Sequence, residues 1–226
     1  MKEYSKIIKR ENMDTIKKVS VLDKGFVGLI DNMGNDDTVA RTARISYYKH
    51  DEILTEEQVE NLIQKLIKNG HTSPFEQVEF QFLVKCPLFV ARQWMRHRTW
   101  SYNELSRRYS DENIEFYVPE DLGEGVPENV LNLLTEGIER SYEMALKQYN
   151  LLKRFGAKSE LARIGLPVGM YTLFFAKTDL HNLFHFLELR HSEHAQREIR
   201  VYAEAIEEII KEIVPLSYRY WKENLA

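Results

Sequence analysis

One short stretch near the middle of the chain constrains the fold more than any other. Over residues 76–85, Val78, Phe80, Phe82 and Val84 alternate with Gln77, Glu79 and Gln81. A period of two places one apolar face on a core and one polar face toward water. Pro87 then removes a ladder donor and stops the strand. A strand buried on one side only is commonest in antiparallel sheets. Candidate neighbours are a weak alternation over 19–30 around Gly25 and Gly28, a short run at 113–118, and another at 170–176.

Helical patterns fill most of the remainder, at 36–47, 55–69, 88–97, 128–155, 158–164, 179–190 and 195–214. The second is best marked: Thr55 as N-cap, Gln58 three residues on, and Gly70 just past its end. Gly156 closes the long helix, Gly165 and Pro167 stop the short one, and Pro215 ends the last. Strands early and helices late predict an α+β fold, a largely antiparallel sheet packed with long helices. There is no internal repeat and no linker-like stretch. Residues 19–226 therefore read as one domain, preceded by a polar extension of mixed charge over 1–18.

With 226 residues, 43% hydrophobic and 29% charged, the chain is neither disordered in character nor a membrane protein. No apolar run approaches the ~18 residues of a membrane-spanning helix. The charged start, MKEYSKIIKR, lacks the apolar core of a secretory signal. The single cysteine, Cys86, cannot form an intramolecular disulfide, which fits a reducing, cytoplasmic location. Cys86 ends the apolar alternation and reads as a small buried hydrophobe rather than a nucleophile.

The net charge of −4 conceals an asymmetry. Residues 85–108 hold Lys85, Arg92, Arg96, Arg98, Arg107 and Arg108 against the single acid Glu104, a local +5 that leaves −9 for the rest. Gln93, His97, Ser101, Asn103 and Ser106 add polar groups among these cations, and Trp94, Trp100, Tyr102 and Tyr109 interleave aromatics. Guanidinium forks suit phosphate, and aromatic faces suit a flat ring. Three readings remain: a solvated cationic face, a nucleic-acid surface, or a pocket for a small phosphorylated ligand. The acidic overall balance argues against nucleic acid, which favours a broad basic surface. Neither G-x-G-x-x-G nor G-x-x-x-x-G-K-[ST] occurs, so a bound dinucleotide would be held without those loops.

A second concentration lies at 179–198. His181 and His185 are four apart, and Glu188 with His191 has the E-x-x-H spacing of one half of a di-iron site. Only one such half is present, so these histidines read more simply as polar edges of a core helix. Arg190 lies among apolar and His neighbours and needs an anion or carbonyl groups, with Glu188, Glu193 or a ligand as candidate partners. Arg163, before the Gly165–Pro167 break, raises the same question.

The run Arg96-His97-Arg98-Thr99-Trp100-Ser101-Tyr102-Asn103-Glu104-Leu105-Ser106, continued by Arg107, Arg108 and Tyr109, closely resembles the signature of the flavin-dependent thymidylate synthases. That signature is R-H-R, seven residues, then Ser. The likeness extends over LDKGFVGLIDNMGND, over Gly70-His71-Thr72-Ser73-Pro74-Phe75-Glu76, and over Phe89-Val90-Ala91-Arg92-Gln93-Trp94. It continues through Ala162-Arg163-Ile164, Leu189-Arg190 and His194-Ala195-Gln196.

The resemblance implies a homotetramer with active sites shared between subunits. It implies conversion of dUMP to dTMP with FAD, NADPH and 5,10-methylenetetrahydrofolate, and neither a nucleic-acid nor a membrane partner. By the same resemblance, Ser73, Arg96, His97, Arg98, Glu104, Asp179, His181 and His185 bind the flavin. Gln93, Arg96, Glu104, Leu105, Ser106, Arg107, Arg108 and Arg163 bind dUMP. Arg190 lies against the uracil ring as the catalytic group, with His71 and Tyr109 near the flavin and folate rings, and no metal takes part. Ser106 has no evident base nearby in sequence and is read as positioning dUMP rather than attacking it.

Overall fold

The computed structural model describes residues 17–49, 51–110 and 113–225. Five strands form one sheet: β1 (Lys17–Val21), β2 (Gly25–Met33), β3 (Glu79–Pro87), β4 (Ser101–Glu104) and β5 (Tyr171–Asp179). Their spatial order is β1-β2-β3-β5-β4, and every pair is antiparallel. β3 and β5 run in register from Glu79 opposite Asp179 to Pro87 opposite Tyr171. The first two strands make a hairpin whose turn brings Gly25 against other backbone. A Cβ at Gly25 would lie 2.7 Å from Val21 O and 2.8 Å from Lys85 O. Only glycine fits there.

The alternation expected for β3 is realised. Val78, Phe80, Phe82, Val84 and Cys86 are wholly buried, while Glu79, Gln81 and Lys85 are half-exposed. Three helices cover this face: α3 (Leu88–Trp94), α6 (Leu180–Arg190) and α7 (Arg197–Ile210). Trp94 sits at their junction, with ring centres of Phe186, Phe174, Trp100 and Tyr202 at 4.8, 5.6, 6.0 and 6.1 Å. Full burial of each such side chain is worth about 1.5–3 kcal/mol, so this cluster dominates the core.

Around it stand α1 (Asp36–Arg44), α2 (Glu56–Lys68) and α8 (Pro215–Leu225). α2 carries the anticipated capping box between Thr55 and Gln58. The carboxylate of Asp36 accepts from the Leu216 and Ser217 amides, 2.8 and 3.0 Å, and so caps α8 from 180 residues away. The remaining helices are the long α4 (Glu128–Arg154) and the short α5 (Ser159–Ala162), followed by a 3-10 turn at Arg163–Gly165. Of α4 only Tyr149 is buried; Leu133, Met144 and Leu151 are exposed. Tyr142 anchors it, stacking on Phe116 at 4.7 Å and passing where a Cβ on Gly169 would stand.

Several expected boundaries move. Lys17 and Lys18 belong to β1 rather than to the polar extension, and residues 1–16 lie outside the described residues. The strand expected at 113–118 reduces to one bridge, Phe116 with Met170, and its first residue, Asn113, takes a left-handed φ of 53. β3 begins at Glu79 after a 3-10 turn, β5 runs on to Asp179, and α3 ends at Trp94. Pro215 opens a helix rather than merely closing one, since its missing N–H is harmless at a first helical position. β4 was not anticipated at all.

Candidate active site

The site is built around the C-terminal end of α3. A helix end leaves carbonyls without intrahelical donors and gathers partial negative charge, which favours a cation. Here Arg190, at the end of α6, donates from Nη2 to Gln93 O at 3.1 Å. Its Nε donates to His97 Nε2 at 3.0 Å. The Tyr102 hydroxyl, reaching across from β4, lies 3.1 Å from Trp94 O and 3.0 Å from His97 O. Arg190 therefore meets a carbonyl and an imidazole, not the Glu188 or Glu193 carboxylates.

The R-H-R triplet splits in the turn that follows α3. His97 is buried, its ring 4.9 Å from Phe186 and 6.1 Å from His185, whereas Arg96 and Arg98 are exposed. Burial first, then the nearby charges of Arg190 and His185, lower the His97 pKa to about 4. The Arg190 pKa is lowered as well, by burial and by the positive charge of Arg96. No carboxylate pairs with Arg96 or Arg98 among the described residues. A crowded cationic corner without a carboxylate attracts an anion from outside the chain.

Farther along, Glu104 accepts from Thr172 Oγ1 at 2.6 Å, and the Leu105 amide donates to Leu173 O. Ser106 Oγ accepts from the Arg108 amide at 3.3 Å, and Ser106 O caps the same turn. No general base is bonded to the Ser106 hydroxyl among the described residues. Arg107 and Arg108 diverge. Arg107 is buried and donates to Asn113 O at 3.1 Å, bracing the loop. Arg108 is exposed, lies over the Tyr109 ring, and approaches Glu160 at 3.4 Å. Glu160 stands in α5 just before Arg163, so Arg108 and Arg163 share one edge.

Ser73 and His71 belong to the turn after α2, where Gly70 takes φ +64 and the His71 amide returns to Leu66 O. They line a cleft of about 670 Å³ with Ser46, Tyr47, Lys65 and Gln77. His71 also borders a second cleft of about 300 Å³ with His181, His185, Glu188 and Trp221. Ring contact between His185 and His97 connects the second cleft to the Arg190 corner, and His71 is shared by the two clefts. Sequence reasoning singled out Ser73 and His71 but missed Ser46, Tyr47 and Lys65. Their only signal was adjacency to a helix end, which is too common to mark a site.

Two expected ligands have internal duties. Asp179 is the N-cap of α6, accepting from Asn182 N at 2.9 Å and Nδ2 at 2.6 Å. Gln93 donates from Nε2 to Gln196 at 2.6 Å. His191 faces Glu207 at 3.2 Å rather than closing a metal pair with Glu188. Among the described residues no group of three or more His, Cys, Asp or Glu could hold a metal. Cys86 is buried, and burial followed by the Glu104 charge raises its thiol pKa, which opposes a thiolate role. No helix among these residues is long and apolar enough to cross a membrane.

The chain as a whole is similar to known proteins. The family model described as thymidylate synthase complementing protein matches residues 28–216. A flavin-dependent thymidylate synthase of Thermus thermophilus is 47% identical over 219 residues, covering 92% of this chain and 79% of that one. The enzyme of the same name from Thermotoga neapolitana is 45% identical over 205 residues, covering 89% and 92%. Among solved structures, a UMP/dUMP methylase, PolB, from Streptomyces cacaoi bound with 5-Br dUMP superposes with a TM-score of 0.83. It is 32% identical, over 91% of this chain and 97% of that one. With the R-H-R corner, the paired clefts and this breadth of likeness in place, the chain belongs to the flavin-dependent thymidylate synthase family.

Proposed function

We propose that the protein methylates dUMP reductively to dTMP, with 5,10-methylenetetrahydrofolate as one-carbon donor and NADPH as reductant. The observation that carries this reading is the carboxylate-free cationic corner of Arg96, Arg98 and Arg190, joined through His97 and His185 to a cleft that shares His71 with a second. These residues fit a flavin dinucleotide: exposed guanidiniums suit its diphosphate, and a partly apolar cleft lined by Tyr47 and Leu66 suits a flat ring. FAD, when bound there, supplies hydride-transfer chemistry that no side chain offers.

The chain's own residues hold and orient the reactants. Ser73, Arg96, Arg98, Glu104, His181 and His185 face the flavin, while Asp179 fixes the start of the helix that carries the last two. Arg108 and Arg163 neutralise the dUMP phosphate. Ser106, Leu105 and Gln93 set its depth, and the Arg107 brace keeps that loop in shape. His71 and Tyr109 offer rings near the flavin and folate. Arg190 stabilises negative charge as it develops on the uracil ring, which makes C5 a better nucleophile. A fixed, poorly solvated guanidinium is effective in that role.

The enzyme acts as a homotetramer in this reading. The exposed Leu133, Met144, Leu151, Phe155 and Ile164, all along or just beyond α4, form an apolar surface that a second copy would cover. The catalytic domain begins with β1, at Lys17 rather than at residue 19.

The test is direct. Purified protein is expected to show flavin absorption bands and to form dTMP from dUMP, NADPH and the folate. Colourless protein without flavin affinity and without dTMP would overturn the reading. Sedimentation at assay concentration checks the tetramer.

A further inference from the structure

Arg190 has five N–H groups, and two are bound inside the chain, to Gln93 O and His97 Nε2. A guanidinium can only donate, so His97 Nε2 must offer its lone pair and carry no proton. The imidazole proton then resides on Nδ1. His97 is well fixed for this task. Only 7% of it is exposed, its ring lies against Phe186, and its carbonyl lies 3.0 Å from the Tyr102 hydroxyl. Protonated, it would present a second cation and no acceptor to Arg190. Its pKa of about 4 keeps it neutral at ordinary assay pH.

Two anchors at different nitrogens fix the plane of a guanidinium, whereas one would let it swing. Gln93 O alone would leave Arg190 free to rotate about that bond. The lone pair of His97 Nε2 removes this freedom, so the unbound N–H edge is aimed before a ligand arrives.

We propose that His97 is a positioning residue for Arg190: through Nε2, its neutral imidazole sets the plane of the guanidinium that meets the pyrimidine ring. This role rests on Arg190 serving dUMP, and it differs from the direct flavin contact implied by resemblance. His97→Leu removes the acceptor and keeps the bulk. His97→Asn stays polar but falls short of Arg190, and His97→Gln returns an acceptor near the position of Nε2.

The test reads dUMP affinity by calorimetry on FAD-loaded protein, together with bound flavin by absorbance. In His97→Leu and His97→Asn, dUMP affinity is expected to fall about tenfold with flavin retained, and His97→Gln should recover most of the loss. In an Arg190→Ala background, the same His97 changes should cost almost nothing further. Equal losses in both backgrounds would overturn the proposal, as would failure of His97→Gln to rescue. Loss of flavin from the His97 variants, with dUMP affinity intact, would overturn it by making His97 a flavin ligand. If His97→Leu does not fold, His97→Asn carries the comparison. Wild-type protein that binds dUMP but forms no dTMP would remove the proposed activity and still leave this coupling measurable.

Discussion

Two sets of cations flank the candidate site, and the fold treats them in opposite ways. Arg190 is half-buried, with Nε and Nη2 bonded to His97 and Gln93. The Arg108 side chain is exposed, lying over the Tyr109 ring and pairing with the equally solvent-reached Glu160 at 3.4 Å, and the half-buried Arg163 stands on the same edge. The first is fixed before any ligand binds and loses little freedom in doing so. The second must be ordered by what it binds. A fixed guanidinium suits a directional contact with a ring, where angle matters. A loose one suits phosphate, whose three oxygens accept from many directions.

The sharpest test of this contrast is Arg190→Ala. It is expected to lower dTMP formation by about 100-fold, the order seen when one preorganised donor is lost, while the flavin bands persist. Equal loss of flavin and turnover would instead assign Arg190 a structural role. Arg108→Ala should act differently, raising KM for dUMP about tenfold with kcat little changed, as expected for one exposed charge-assisted contact. A fall in kcat with KM unchanged would erase the distinction between the two sets.

The contrast also has a pH signature. His97 remains neutral in the folded chain until about pH 4, whereas the unfolded chain takes up that proton near 6.5. More protons on the unfolded state mean that stability falls as pH drops through this interval. The charged and titratable groups facing His97 are Arg190 and His185. Melting temperature measured between pH 7 and 4.5 should therefore decline more steeply in wild type than in His97→Gln; parallel curves would sever the link. The smallest effect is expected for Tyr102→Phe, which removes one hydroxyl from the fixed corner. Urea unfolding should show a loss of about 1 kcal/mol, and no loss would mean that the corner is held without it.

Much of the scaffold was legible in the sequence because its signals are local. The period of two in β3, the Thr55–Gln58 capping box and the glycine after α2 each concern residues within one or two turns of one another. β4 escaped because Ser101–Glu104 has no buried alternation: its residues are exposed or half-exposed and owe their extended shape to the β5 edge. α8 escaped because its N-cap is Asp36, on a different element, so nothing beside Pro215 announced a start. Within the site, the adjacent Arg107 and Arg108 looked equivalent. Only the path of the loop to Asn113 separated a brace from an exposed cation.

By itself the sequence determined β3, the capped α2 and most of the helices and, through the order of residues 96–109, which family's chemistry they resemble. Both are carried by short-range periodicity and by residue type. The tertiary structure alone decided that Arg190 and His97, 93 positions apart, share a hydrogen bond, and that His71 borders two clefts at once. Such contacts depend on the register of β3 with β5 and on where α6 crosses the end of α3. Those quantities are set by the burial of Trp94, Phe174 and Phe186 together. No single segment contains that information, because the energy that fixes it arises only when the segments meet.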